Sequence, residues 1–130
     1  MSGTLVLDCE GLSQLVRRKP ALIEWLAAAE AEDIRVVTSS VTLVEARDPK
    51  INQARFDYAA SRVDIVPPTE AIARHASKLL VSAGLHGHKY ALDAIVAATA
   101  LASTAPVTVL TSDPEDLMML CGPGAHVVKP

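Results

Sequence analysis

Short apolar runs alternate along the chain with longer segments in which apolar residues recur at helical spacing. The runs of strand length lie at residues 4–8, 34–39, 63–67, 107–113 and 125–130. The first run shows no polar alternation, which is typical of a strand buried on both faces. The segments with helical spacing lie at residues 10–19, 21–33, 40–47, 50–62, 70–84, 90–102 and 115–121.

This alternation defines β-α-β units, in which successive strands run parallel and helices cover both faces of the sheet. The sequence therefore predicts an α/β fold: a three-layer α/β/α sandwich with a mainly parallel central sheet of about five strands. The 130 residues contain no internal repeat and no linker, so a single domain is predicted over residues 1–130.

Boundary signals refine the helices. Either Ser39 or Ser40 is expected to cap the short third helix. Thr69 is expected to cap the long fifth helix and Gly84 to end it. The first helix is expected to be capped by Glu10 and to carry Arg17, Arg18 and Lys19 in its last turn, where cations suit the helix dipole. Apolar residues at helical spacing predict which faces of two helices point inward. In the second helix these residues are Leu22, Ile23, Trp25, Leu26 and Ala29. In the fourth helix they are Ile51, Ala54, Phe56, Tyr58 and Ala59.

Four acids end or follow apolar runs. Asp8 and Asp113 end the first and fourth strand-like runs, and Glu45 lies on the short helix after the second. Asp93 is the single charge in the apolar segment 90–102. Because ligands of parallel α/β folds bind beyond the carboxyl ends of the strands, where the strand order reverses, these acids are predicted to share one crevice.

Asp93 has two interpretations from the sequence. A helix that is apolar on every side belongs in the interior, and an ionised carboxylate there needs a positive or hydrogen-bonding partner. Asp93 is then either the N-terminal cap of its helix, accepting backbone N–H groups, or one member of the acidic cluster.

Composition narrows the classes of function. No apolar run reaches the ~18 residues of a membrane span, and the start MSGTLVLDCEG carries no export signal, so a cytoplasmic location without membrane association is expected. Cys9 and Cys121 lack metal-type spacing and are expected to be buried small apolar residues. The formal net charge of −3 by itself argues against a nucleic-acid partner. However, a cation bound among the four clustered acids would neutralise their charge, so the net charge does not exclude RNA.

Carboxylates that converge in one crevice raise one another's pKa unless a cation lies among them. Oxygen ligands are preferred by hard ions, so Mg²⁺ or Mn²⁺ is the predicted occupant. Such ions bind phosphate oxygens and activate water, which favours hydrolysis of a phosphodiester.

The motifs LVLD, VTLVEA, YALDAIVAATAL and VLTSDPEDL contain Asp8, Glu45, Asp93 and Asp113 in turn. In order and approximate spacing they resemble the motifs of PIN-domain ribonucleases, and the chain is most similar to the VapC-type toxins of bacterial toxin-antitoxin modules. The resemblance covers nearly the whole chain. It implies a Mg²⁺- or Mn²⁺-dependent endoribonuclease that cleaves structured RNA such as tRNA or rRNA and is inhibited by a cognate antitoxin.

The resemblance also implies roles for individual residues. Asp8, Glu45, Asp93 and Asp113 match the catalytic and metal-binding acids of the family, and Asp116 matches an additional, more variable metal ligand. Ser112 matches a hydroxyl position that orients a metal-bound water or a phosphate. VapC-type toxins usually form homodimers and bind the antitoxin in an apolar groove between helices, for which the candidate residues are Leu12, Leu15, Val16, Leu22, Trp25 and Leu26.

Several alternatives stay open at this point. Asp116 is either a metal ligand or a first-turn helix charge, and Ser112 either contacts the site or bonds its own turn. His86, His88 and Lys89 either bind RNA phosphates or lie in a solvated loop. The same choice applies to the basic residues Arg17, Arg18, Lys19, Arg47, Lys50 and Arg55.

Other functions fit the acids less well. A haloacid-dehalogenase-like phosphatase needs a second Asp two residues after the first, where this chain has Glu10, and a receiver domain needs an acid at the end of strand three, where VDIVPP has none. The remaining competitor is a catalytically inactive PIN-like scaffold that binds RNA or protein.

Overall fold

Over residues 3–130 the central sheet has five strands, all parallel to their neighbours. The computed structural model describes residues 3–130. The strands are β1 (Thr4–Leu7), β2 (Arg35–Ser39), β3 (Asp64–Val66), β4 (Val107–Leu110) and β5 (His126–Val128). Their order across the sheet is β3-β2-β1-β4-β5. The predicted parallel sheet of about five strands is therefore confirmed.

In the described part of the chain, seven α-helices connect and flank the strands. They are α1 (Cys9–Val16), α2 (Pro20–Ala31), α3 (Ser40–Ala46), α4 (Gln53–Ser61), α5 (Glu70–Ala83), α6 (Gly87–Leu101) and α7 (Pro114–Cys121), with a short 3₁₀ turn over Gly122–Gly124. Thr69 caps α5 through a bond from the Ile72 N–H, and Gly84 ends it in the left-handed conformation at φ 68°, both as predicted. Among these described helices, none is long and apolar enough to cross a membrane.

Alternate residues of the strands supply two hydrophobic cores. Val6, Val37 and Val109 point to the side of α5, α6 and α7, where Ala94, Ala98 and Leu117 are also buried. Leu5, Leu7 and Leu110 point to the side of α1, α2 and α4. Because the side chains of a strand alternate between the two faces, one sheet separates two apolar layers. The three-layer sandwich is thus confirmed.

The strand order reverses between β1 and β4. From β1 the chain builds outward to β2 and β3, and then crosses back to add β4 and β5 on the other side. Leu7 lies opposite Leu110 in the register of β1 and β4. The carboxyl ends of these two strands therefore flank the crevice in which parallel α/β folds bind their ligands.

The turn between α1 and α2 differs from the prediction. Helix α1 ends at Val16, and Arg18 adopts a left-handed conformation at φ 57°. Lys19 is extended, as expected of a residue that precedes a proline, and Pro20 opens α2. The basic residues therefore form a connection between two helices rather than the last turn of α1.

Two predicted packing faces are only partly correct. In α2, Leu22, Leu26 and Ala29 are buried, Trp25 is half-buried and Ile23 is 37% exposed. In α4, Phe56 and Ala59 are buried whereas Tyr58 is 57% exposed. Alanine at so many positions of both helices makes several faces almost equally apolar, so the sequence does not distinguish the inward one.

Helix α6 begins earlier than predicted. Its N-cap is His86, whose Nδ1 accepts the N–H of His88 at 3.4 Å, so the segment expected to be a loop forms the first turn. Tyr90 departs from helical geometry, with φ −112° and ψ 15°. The predicted start of the helix thus coincides with a kink inside it.

Candidate active site

A pocket of about 140 Å³ lies beyond the carboxyl ends of β1 and β4. The four predicted acids all line it. The complete lining is Asp8, Cys9, Glu10, Glu45, Asp93, Val96, Thr111, Ser112 and Asp113. Residues from β1, α1, α3, α6 and the β4–α7 connection thus converge at the topological switch point.

Asp8 is the most buried acid of the pocket, with 8% of its surface exposed. Its Oδ1 accepts the backbone N–H of Gly11 at 2.9 Å, so Asp8, and not Glu10, caps α1. Burial raises the pKa of Asp8 above its ordinary value, against the opposing effect of hydrogen bonds from Thr111, Gly11 and Glu10. Asp8 therefore combines a capping role with a position on the pocket wall.

Glu45 reaches the pocket from the last turn of α3. Ser39 caps this helix by accepting the N–H of Val41 at 3.3 Å, as the sequence predicts. The helix follows β2 without a loop, and this places Glu45 near the mouth of the strand. Its side chain is exposed, so its approach to the other acids depends on how α3 is held.

Asp93 lies on α6 just beyond the kink at Tyr90 and is half-buried. Burial, followed by the charges of Glu45, Asp8, Asp116 and Asp113, raises the pKa of Asp93 to about 6. A carboxylate that caps a helix would instead have its charged form stabilised by N–H groups. Within residues 3–130 no backbone N–H bonds the Asp93 side chain, so the capping interpretation of Asp93 is not supported.

Asp113 and Asp116 lie at the start of α7. Asp113 occupies the N-cap position without making a side-chain cap bond, and it is exposed. The pKa of Asp116 is raised by a hydrogen bond that its protonated carboxyl donates to the Asp113 carboxylate, then by burial and by the Asp113 charge, while the charge of Lys89 lowers it. Asp116 does not itself line the pocket. Ser112 does line it.

Thr111 is a pocket residue that sequence reasoning missed. It has no exposed surface, its Oγ1 accepts the N–H of Asp113 at 3.0 Å, and its hydroxyl also bonds to Asp8. It thus links the two acids that follow β1 and β4. A hydroxyl residue at the end of an otherwise apolar strand was the available signal, but its contact with Asp8 requires the parallel pairing of β1 with β4.

The predicted basic residues separate into two groups. His88 and Lys89 are exposed on the first turn of α6, and the Lys89 Nζ lies 5.2 Å from the centre of the Tyr90 ring. Its effect on Asp116 places Lys89 beside the acidic cluster. Arg47 instead donates to the backbone carbonyl oxygens of Asp48 and Ile51. Arg55 donates to the carbonyl oxygen of Val16. Both arginines therefore have structural roles.

The donor chemistry of the pocket fits a hard divalent cation. Apart from Cys9, the potential donors are carboxylate and hydroxyl oxygens. Cys9 is only half-buried, not fully buried as predicted, and burial together with the charges of Glu45 and Asp8 raises the pKa of its thiol to about 12, so it remains protonated. Within residues 3–130, no three His, Cys, Asp or Glu side chains stand close enough to form a preassembled ion site.

The fold and pocket together define a parallel α/β protein with an acidic crevice at its topological switch point. The family model described as PIN domain matches residues 5–115, and the chain belongs to the PIN domain family. No curated protein matches the chain significantly.

Among solved structures, the chain is similar to one in the crystal structure of VapBC2 from Rickettsia felis, which is bound to a DNA fragment from the VapBC2 promoter. The TM-score is 0.73 at 16% sequence identity, over 98% of each chain. At this identity the likeness establishes the fold.

Proposed function

We propose that this protein is a VapC-type toxin: an endoribonuclease that depends on Mg²⁺ or Mn²⁺ and hydrolyses phosphodiester bonds of structured RNA such as tRNA or rRNA. The observation that carries the proposal is the convergence of Asp8, Glu45, Asp93 and Asp113 on one pocket at the switch point of a PIN-domain fold. A binding scaffold would not require this concentration of negative charge.

Asp8, Glu45, Asp93 and Asp113 would hold the divalent cation, and Asp116 would support Asp113 through the hydrogen bond between their side chains. A bound ion of this kind supplies an activated water and charge stabilisation for the leaving oxygen. The raised pKa of Asp93, about 6, supports such a site, because burial and then the charges of the neighbouring acids disfavour its ionised form, and a bound cation would offset that cost.

The other residues of the pocket would position the substrate and the acids. The exposed side chains of His88 and Lys89 would bind RNA phosphates at the rim. Ser112 would orient a water or a phosphate oxygen. Thr111 would hold Asp8 and the backbone of Asp113 in a fixed relation.

A cognate antitoxin is the proposed protein partner. A groove of about 340 Å³ lies between α1, α2 and α4 and supports this assignment. It is lined by Leu15, Val16, Arg18, Ile23, Arg55, Tyr58, Ala59 and Arg62. An apolar floor beside three arginines matches a segment that presents apolar side chains together with carboxylates. Leu12, Leu22 and Leu26, which the sequence also nominated, are buried in the core and do not line the groove, whereas Leu15 and Val16 line it although they are only 3% and 4% exposed.

Trp25 lies outside this groove. It is half-buried and lines a smaller cleft with Ile34 and Pro106. A homodimer and a cytoplasmic location, both carried over from the resemblance to VapC-type toxins, complete the proposal.

Cleavage of total cellular RNA tests the proposed activity. Purified protein would be incubated with Mg²⁺, Mn²⁺ or EDTA, alongside Asp8→Asn and Asp93→Asn. We expect discrete fragments that disappear with EDTA and in both variants, and the sequences of their ends would identify the substrate. Folded, antitoxin-free protein that neither cleaves RNA nor binds Mn²⁺ at millimolar concentration would contradict the proposal and favour the scaffold.

A further inference from the structure

Two buried threonines connect the end of β1 to α3. The Thr38 Oγ1 lies 2.7 Å from the carbonyl oxygen of Leu7 and 2.5 Å from the Thr42 Oγ1. The Thr42 Oγ1 in turn lies 2.6 Å from the carbonyl oxygen of Ser39. Both threonines have 0% of their surface exposed. Water therefore does not compete for these hydroxyl groups, and their bonds depend on one another.

The protons of this pair indicate the direction of the chain of bonds. Each hydroxyl has a single proton, so two protons must serve three contacts, and the two carbonyl groups only accept. Thr38 donates its proton to the Leu7 carbonyl, so the single proton of Thr42 serves both the Ser39 carbonyl and the Thr38 Oγ1. Ser39 is the N-cap of α3, so this shared proton joins the start of that helix to the hydroxyl that bonds the end of β1.

The two ends of this chain of bonds lead directly to two pocket acids. Leu7 immediately precedes Asp8, and Thr42 lies one helical turn before Glu45. The ladder between β1 and β2 ends with Val6 opposite Val37, one residue short of Leu7 and Thr38. The hydroxyl pair thus continues the connection between the two strands beyond their last paired residues, on the side where the acids lie.

We propose that Thr38 and Thr42 are positioning residues that set the separation between Asp8 and Glu45, and thereby the affinity of the acidic pocket for a divalent cation. This inference rests on the proposed metal-dependent function. Glu45 is exposed at the end of a helix of only seven residues, so its position follows that of α3. Groups that orient metal ligands typically change metal affinity by about 10- to 100-fold when they are lost.

The test measures Mn²⁺ binding by calorimetry on the full chain, without reference to nuclease activity. Thr42→Val and Thr38→Val each replace one hydroxyl with a methyl group of similar size, and Thr42→Ser keeps the hydroxyl. Thr4→Val is the matched control, because Thr4 is also buried, at 2% exposure, and its hydroxyl bonds the Thr104 carbonyl oxygen at 2.8 Å. That bond lies at the opposite end of β1.

We expect both valine variants at positions 38 and 42 to bind Mn²⁺ about tenfold more weakly than the unmodified protein. Thr42→Ser should restore the Mn²⁺ affinity. Thr4→Val should lower the melting temperature but leave the Mn²⁺ affinity unchanged. Unchanged Mn²⁺ affinity in a folded Thr42→Val or Thr38→Val variant would overturn the inference while leaving the proposed function intact. An unmodified protein that binds no Mn²⁺ would overturn both.

Discussion

Replacing Asp93 by Asn should stabilise the metal-free protein while abolishing the proposed cleavage of RNA. The substitution removes one negative charge from a pocket that also contains Asp8 and Glu45, and it keeps nearly the same shape. Since the charged form of Asp93 is disfavoured by burial and by the neighbouring acids, its neutral replacement relieves that cost.

The size of the effect follows from the pKa of Asp93. A value of about 6, against 3.8 for an ordinary Asp, corresponds to about 3 kcal/mol in the folded state. Asp93 is only half-buried and solvent screens its charge, so a gain of about 1 to 2 kcal/mol is the expectation. For a chain of this length that gain raises the melting temperature by roughly 5 °C.

The pH dependence has a definite sign. The folded state holds a proton on Asp93 more tightly than the unfolded state, so the stability of the unmodified protein should fall as pH rises from about 4 to about 6. The advantage of Asp93→Asn should therefore be complete above pH 6 and vanish below pH 4, where Asp93 is neutral in both states.

Urea unfolding in EDTA at pH 4, 5, 6 and 7.5 would measure this difference. Asp57→Asn is a suitable control, because Asp57 is exposed on α4, away from the acidic pocket, and should show no such trend. A variant at Asp93 that is less stable than the unmodified protein at pH 7.5 would refute the reasoning and restore the interpretation of Asp93 as a helix cap.

Three further predictions concern the core, a helix cap and the proposed partner groove. Leu117→Ala should cost about 3 kcal/mol in urea unfolding, because Leu117 has 0% of its surface exposed and truncation leaves a cavity; a loss below 1 kcal/mol would contradict this. Thr69→Ala should cost about 1 kcal/mol and preferentially increase hydrogen exchange at the start of α5, because it removes the bond to the Ile72 N–H. Tyr58→Ala should weaken antitoxin binding by about 2 kcal/mol in calorimetry while RNA cleavage is unchanged, since Tyr58 is 57% exposed in the groove; equal affinity would place the partner elsewhere.

The amino-acid sequence by itself determined the architecture. Apolar runs of strand length separated by helical spacing led to the parallel sheet and its helical layers, because burial on both faces removes the polar alternation of a strand. Local signals such as Thr69, Ser39 and Gly84 set helix ends, since a capping bond or a left-handed turn involves only neighbouring residues. The acids at the ends of the apolar runs could also be identified from the sequence, because each is recognised by the residues next to it.

The tertiary structure alone decided which of these groups meet. Asp8 bonds both Gly11 and Thr111, and the contact with Thr111 exists because β1 and β4, distant in sequence, pair side by side. The bond between Thr38 and Leu7 likewise depends on strand pairing. Arg55 resembles a free cation in the sequence, yet it bonds the Val16 carbonyl in the fold. Contacts across such sequence separations arise from the packing of whole elements, which no local pattern of residues encodes.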